Sequence, residues 1–265
     1  MRKIVIQGTL TILLFIGIWF ALTQINWIKV FKVQNITDKT EQKLGELILE
    51  VLKKTEKENK NTYVAKSIDS ILTRICKANN IDKKTLKIHV FDKDNINAFA
   101  LPNGHLIIYS GLVLNSDNQG ELAGVICHEI AHIKLNHVIK KLIKEIGLSV
   151  LISITTGSGA TEVIKKIAKI LSSSAFDRSL EKEADLKAVD YMIEAKIDPE
   201  SFANFLYKLS SKEHEAVKYL SWINTHPDSK KRAAYIIDYS KDKATSYKPI
   251  LSIQTWNRLK EELKN

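Results

Sequence analysis

The chain opens with its longest charge-free stretch: no residue from Ile4 to Ile28 is charged, and Leu10, Ile12, Leu13, Leu14, Phe15, Ile16, Ile18, Trp19 and Phe20 lie within it. About 20 apolar residues cross the ~30 Å hydrocarbon core of a bilayer, so this run predicts a membrane-spanning helix. Beyond it, apolar positions return at helical spacing. Leu44, Leu47, Ile48, Val51 and Leu52 mark one face of a helix that follows a capping box, Asp38-x-x-Glu41. Val64, Ile68, Ile71, Leu72 and Ile75 mark another, after the charged connection 53–61. The period then shortens. Lys87–Phe91 and His105–Tyr109 are β-type runs joined through Asn97–Gly104, where Pro102-Asn103-Gly104 is a turn signal; a small hairpin or edge-strand pair is expected. From Gln119 the pattern is helical nearly to the end, broken at Gly157-Ser158-Gly159, Asp198-Pro199 and His226-Pro227. The uncharged segment Ile146–Thr161 is short for a span and reads as a buried helix. The expected fold class is α+β, predominantly helical with a small β-sheet. Residues 1–29 would form an N-terminal membrane anchor and residues 30–265 one domain.

Composition narrows the classes. Hydrophobic residues make up 45% and charged residues 26% of the 265, globular values that exclude a disordered or collagen-like chain. Two cysteines, Cys76 and Cys127, cannot build a disulfide framework. Net charge is +10, but lysines alternate with acids along most helical stretches, the pattern of a solvated surface. No clustered basic face with stacking aromatics stands out, so nucleic acid is not an expected partner. Arg2 and Lys3 could head a cleaved signal peptide, but no A-x-A-like site follows, and the run exceeds a signal core of ~7–15 residues. An uncleaved anchor is favoured. Arg2 and Lys3 facing Lys29 and Lys32 give a slight bias toward a cytoplasmic N-terminus and an extracytoplasmic domain, in a single-pass membrane protein.

The chemistry lies in His128-Glu129-Ile130-Ala131-His132. Residues four apart share a helix face, so both imidazoles can reach one cation, while Glu129 lies beside the site without being forced to ligate. Catalytic zinc takes three protein ligands and keeps one position open, and a nearby carboxylate can accept a proton there. Val125, Ile126, Cys127, Ile130 and Ile133 make this a buried helix, where two histidines need a reason. The metzincin continuation fails, because position 135 is Leu and position 138 is Val. His137, five residues past His132, points off the metal face and reads as structural or solvated. A later acidic helix offers a third ligand: Glu181 and Asp185 are four apart. Glu181 would complete the site and Asp185 would orient a ligand imidazole, with Glu183 pointing elsewhere on the helix. Cys127 reads as core packing.

Four motifs then occur in the order of the HtpX-type zinc endopeptidases, metallopeptidase family forty-eight, which includes the CAAX prenyl proteases and envelope and mitochondrial quality-control peptidases. They are Asn97-Ala98-Phe99-Ala100-Leu101-Pro102-Asn103-Gly104, His128-Glu129-x-x-His132, Arg178-x-x-Glu181-x-x-Ala184-Asp185 and Thr225-His226-Pro227-x-x-x-x-Arg232. The chain resembles that family over about residues 38–240. The resemblance implies a zincin-like gluzincin holding one zinc ion on His128, His132 and Glu181, with Glu129 activating a zinc-bound water. Arg178 and Asp185 would support the ligands. Asn97, Ala98, Phe99 and Ala100 would line a cleft for unfolded or extended protein substrates. His226 would stabilise the oxyanion or occupy the open position in a resting state. A single anchor differs from the several spans of the HtpX and prenyl-protease members and places this chain nearer the single-anchor or secreted ones. A catalytically silent zinc-stabilised scaffold, binding unfolded chains, is the alternative; an intact Glu129 speaks against it. The sequence does not reveal the oligomeric state.

Overall fold

A chain with apolar residues at helical spacing over most of its length folds as expected into helices, with a few strands between them. The computed structural model describes residues 2–24, 38–157, 161–211, 217–243 and 246–264. The chain falls into two compact units, Met1–Lys39 and Thr40–Asn265.

The first unit holds helix α1 (Arg2–Gln24). Its described large apolar side chains are all exposed, from 50% for Ile6 and Ile18 to 72% for Phe15 and Trp19. Among the described residues no helix is long and apolar enough to cross a membrane. Residues 25–28 of the expected span lie outside the described residues.

In the second unit, α2 (Asp38–Thr55) and α3 (Thr62–Ala78) precede the sheet. Glu41 does not close the expected capping box. Its Oε1 accepts the backbone N–H of Asn103 at 2.9 Å, tying α2 to the turn between two strands. Asn61 caps α3 by accepting from Tyr63 and Val64. The sheet has three strands in the order β1 (Lys87–Phe91), β3 (His105–Tyr109), β2 (Ala98–Leu101). β1 runs parallel to β3, whereas β2 runs antiparallel to it through Pro102–Gly104. Asn103 takes φ 61° there, a left-handed conformation that asparagine tolerates. The expected hairpin therefore exists, but its first arm is Ala98–Leu101, read beforehand as connection. Its second arm also pairs with β1. All four residues of β2 and all five of β3 are buried.

After α4 (Ser110–Asn115), α5 (Gln119–Lys134) forms the centre of the unit. Asn118 Oδ1 accepts from Gly120 and Glu121 at its N-terminus. Every residue from Gly120 to His132 is buried, because β2 packs on this helix together with α9 (Arg178–Glu194) and α10 (Pro199–Ser211). A helix apolar all round belongs in a core. Gly124 allows the closest approach: a Cβ there would lie 2.4 Å from Cβ of Phe202 on α10. Between α5 and α9 come α6 (His137–Ile146), α7 (Leu148–Thr156) and α8 (Thr161–Ser173). The uncharged segment is not one buried helix. Gly147, at φ 89°, separates α6 from α7, and α7 buries Leu151 and Ile154 while exposing Val150 and Ile152. Then α11 (Val217–Thr225), α12 (Ser229–Ser240) and α13 (Ile253–Glu262) complete the unit.

Candidate metal centre

Three segments converge on one buried point. The four-residue spacing on α5 brings the rings of His128 and His132 to 4.5 Å, edge to face, with their Nε2 atoms 3.0 Å apart. Glu181, in the first turn of α9, puts Oε1 3.2 Å from His132 Nε2 and Oε2 3.7 Å from His128 Nε2. His226 ends the turn after α11, where Pro227 keeps it out of a continuing helix. Its Nδ1 lies 2.9 Å from Glu181 Oε1 and 3.2 Å from His128 Nε2. One ligand atom from each of these four residues lies within 4.8 Å of the other three. A tetrahedral shell with zinc–ligand bonds of ~2.0–2.1 Å has edges of about 3.3–3.4 Å, and the observed separations bracket that value. Three imidazoles and a carboxylate are also the donor types zinc takes, so the residues fit one zinc ion.

Glu129 sits against this group, fully buried. Its Oε1 is 3.4 Å from His226 Nε2. Burial, then the charge of Glu181, raise its pKa well above the usual carboxylate range, against the pull of the Ala100 backbone N–H, Arg232 and Lys141. Burial lowers His132 to about 3 and His226 to about 4. Glu181 goes the other way. Burial alone would raise it, but its contacts with His226, Arg232 and His128 together outweigh burial and hold it well below the usual range.

Asp185, one turn after Glu181, puts Oδ1 2.9 Å from His128 Nδ1. Arg232 on α12 holds it bidentately, Nε at 2.8 Å and Nη2 at 2.7 Å, and Tyr235 donates its hydroxyl to the same carboxylate. Arg232 Nη1 is also 2.7 Å from Glu181 Oε2. Burial opposes ionisation of Asp185, yet Arg232 and His128 bring it down to about 2.

The structure thus brings together His128, Glu129, His132, Glu181, Asp185 and His226, and leaves Arg178 aside. That side chain is 79% exposed and pairs with Asp228 at 2.9 Å. The arginine beside the carboxylates is Arg232, whose place in the last motif gave it no role by spacing alone. Asn97 donates from Nδ2 to Ser172 O at the end of α8, while Ala98, Phe99 and Ala100 form the buried edge strand β2 that packs on α5. Cys127 is buried, its thiol pushed up by burial, in keeping with packing.

Three residues near the site carried no sequence signal of their own. Phe176 stacks on His132 at 4.1 Å, and Trp222 stacks on His226 at 4.1 Å. Lys141 is buried, lies 4.0 Å over Phe176, donates to Ser174 O, and is lowered to about 8 by burial. His137 stays off the metal face. Asn136 takes φ 57° and ends α5 one residue earlier, so His137 starts a new helix and turns back, Nδ1 to Nδ1 at 3.0 Å from His132. Its Nε2 lies 3.2 Å from Glu183 Oε2. The left-handed tendency of asparagine between the two histidines was the available clue.

The sequence profile of peptidase family M48 matches residues 62–239, more than half of the chain. Metalloprotease LoiP of Escherichia coli is 29% identical over 185 residues, 67% of this chain and 71% of LoiP. Mitochondrial metalloendopeptidase OMA1 of Bos taurus is 29% identical over 163 residues, 56% of this chain and 31% of that protein. The beta-barrel assembly-enhancing protease of Escherichia coli is 23% identical over 206 residues, 73% of this chain and 42% of that protein. The chain thus spans less than half the length of two of these three relatives.

Proposed function

The chain belongs to peptidase family M48 and carries its metalloendopeptidase domain; on that premise we propose that the whole protein is a membrane-anchored zinc endopeptidase acting on unfolded or extended protein segments. His128, His132 and Glu181 hold the zinc and Glu129 moves the protons. The observation that carries this reading is the convergence of four buried ligand atoms beside the fully buried carboxylate of Glu129. A silent scaffold has no use for such a group.

Zinc, when bound, polarises a scissile carbonyl and lowers the pKa of its water toward ~7. Glu129 is the base: its buried carboxylate lies beside the ligand atoms, Oε1 3.4 Å from His226 Nε2, where it takes a proton and delivers it to the leaving nitrogen from the same position. Asp185 fixes the orientation of His128 through Nδ1, and Arg232 balances the charge of both acids. His226, with Nε2 3.4 Å from Glu129, is poised to stabilise the developing oxyanion. Edge strands accept extended peptides by main-chain pairing, which supports the Asn97–Ala100 segment as the substrate platform. Every proposed zinc ligand, and Glu129, is at most 2% exposed.

The anchor rests on the charge-free run 4–28 and on the apolar side chains α1 exposes on all sides. A single pass with the domain on the extracytoplasmic side suits an envelope quality-control role. Purified full-length protein should cleave unfolded casein, stop with a chelator, and recover on adding zinc. Alkaline extraction should leave it in the membrane pellet. Chelator-insensitive cleavage would overturn the zinc chemistry, and release into the supernatant would overturn the anchor.

A further inference from the structure

The two α5 histidines are backed differently. Nδ1 of His128 meets a carboxylate directly, at 2.9 Å from a buried Asp185. Nδ1 of His132 instead lies 3.0 Å from Nδ1 of His137, whose Nε2 lies 3.2 Å from Glu183 Oε2. His137 is fully buried, while the Glu183 side chain is 52% exposed. A chain of polar contacts thus leads from the metal cluster through two rings to solvent.

A neutral imidazole carries one proton on its two nitrogens. Two facing Nδ1 atoms share one hydrogen bond, so one ring donates and the other accepts. If His137 donated, its Nε2 would turn a lone pair toward the Glu183 carboxylate, acceptor against acceptor. His132 would then carry its proton on Nε2, the atom that faces His128 and Glu181. If His132 donates, His137 Nε2–H donates to Glu183, every contact runs donor to acceptor, and His132 Nε2 is a free lone pair. We propose that His137 and Glu183 are a positioning relay that fixes the tautomer of His132 and so presents its Nε2 to zinc. The relay rests on the zinc reading above. Its outer end is at the surface, so a side chain in contact with water selects the state of a ligand inside.

Partners that orient a metal-bound histidine are typically worth 10–100-fold in metal affinity. Zinc affinity of the full-length protein, measured by competition with a chromophoric chelator, tests the relay. His137→Phe keeps the ring and loses the acceptor, and should weaken zinc binding by about 10–100-fold. His137→Asn puts an amide oxygen near the place of Nδ1 and should restore most of it. A purely space-filling role predicts the reverse order. Glu183→Ala, at a half-exposed position that leaves folding intact, should weaken binding about two- to fivefold, with no further effect in the His137→Phe background. Wild-type affinity in His137→Phe, or an equal Glu183→Ala effect in both backgrounds, would overturn the relay and leave the zinc reading standing. A wild-type protein with no tight zinc site would overturn both.

Discussion

Arg232→Met removes a guanidinium that faces both Glu181 and Asp185 while keeping an apolar side chain in its place. Arg232 is 2% exposed and lies 2.7 Å from Glu181 Oε2 and from Asp185 Oδ1. Breaking a buried pair by removing one partner costs about 3–5 kcal/mol, because the charge left behind is uncompensated. For a body of about 150–250 residues each kcal/mol moves the melting temperature by ~2–4 °C, so metal-free Arg232→Met should melt roughly 6–20 °C below the metal-free wild type. Zinc restores positive charge beside Glu181, so the gap should narrow on adding zinc. It should also narrow in acid. Asp185 has a folded value of about 2 against an unfolded ~3.9, so its stabilisation is complete above ~3.9 and fades as pH falls toward 2. Thermal melts followed by circular dichroism, with chelator and with zinc, provide the assay. A metal-free melting temperature within about 2 °C of wild type would refute the argument that Arg232 balances these acids.

His226→Ala should lower kcat and kcat/KM together while zinc content stays unchanged, the signature of an interaction made in the transition state. Faster cleavage would make His226 a plug on the resting metal, and unaltered kinetics would leave it a structural role. His105, buried on β3, is held down to about 4 by burial and then by the charge of His89, whereas an unfolded histidine takes a proton near ~6.5. Lowering the pH from ~6.5 toward 4 therefore favours the unfolded chain. Stability should fall over that window, and less steeply in His105→Gln; equal slopes in thermal melts would exclude the contribution.

The sequence made the core of the site legible because its parts follow helix periodicity. His128 and His132 are one turn apart on α5, Glu181 and Asp185 one turn apart on α9, and each pair does share a face. What escaped depends on breaks in periodicity and on tertiary packing. His137 stays off the metal face, and what spacing did not show is that one left-handed asparagine at 136 turns it against the outer nitrogen of His132. Arg178 and Arg232 are equally basic in sequence, but only the packing of α12 against α9 puts Arg232 beside the acids. Ala98–Leu101 has only four residues, too few to show a period, and gains its strand identity by pairing with β3. The charge-free segment after α6 reads as one helix until Gly147 divides it, and half of α7 faces outward.

Glu129→Gln tests the central claim most directly, because the amide keeps the shape of the side chain and cannot accept the proton. The account predicts a full complement of one zinc per chain by metal analysis, with cleavage of unfolded casein reduced by ~10²–10⁴-fold or more. Wild-type turnover by the zinc-loaded variant would contradict it.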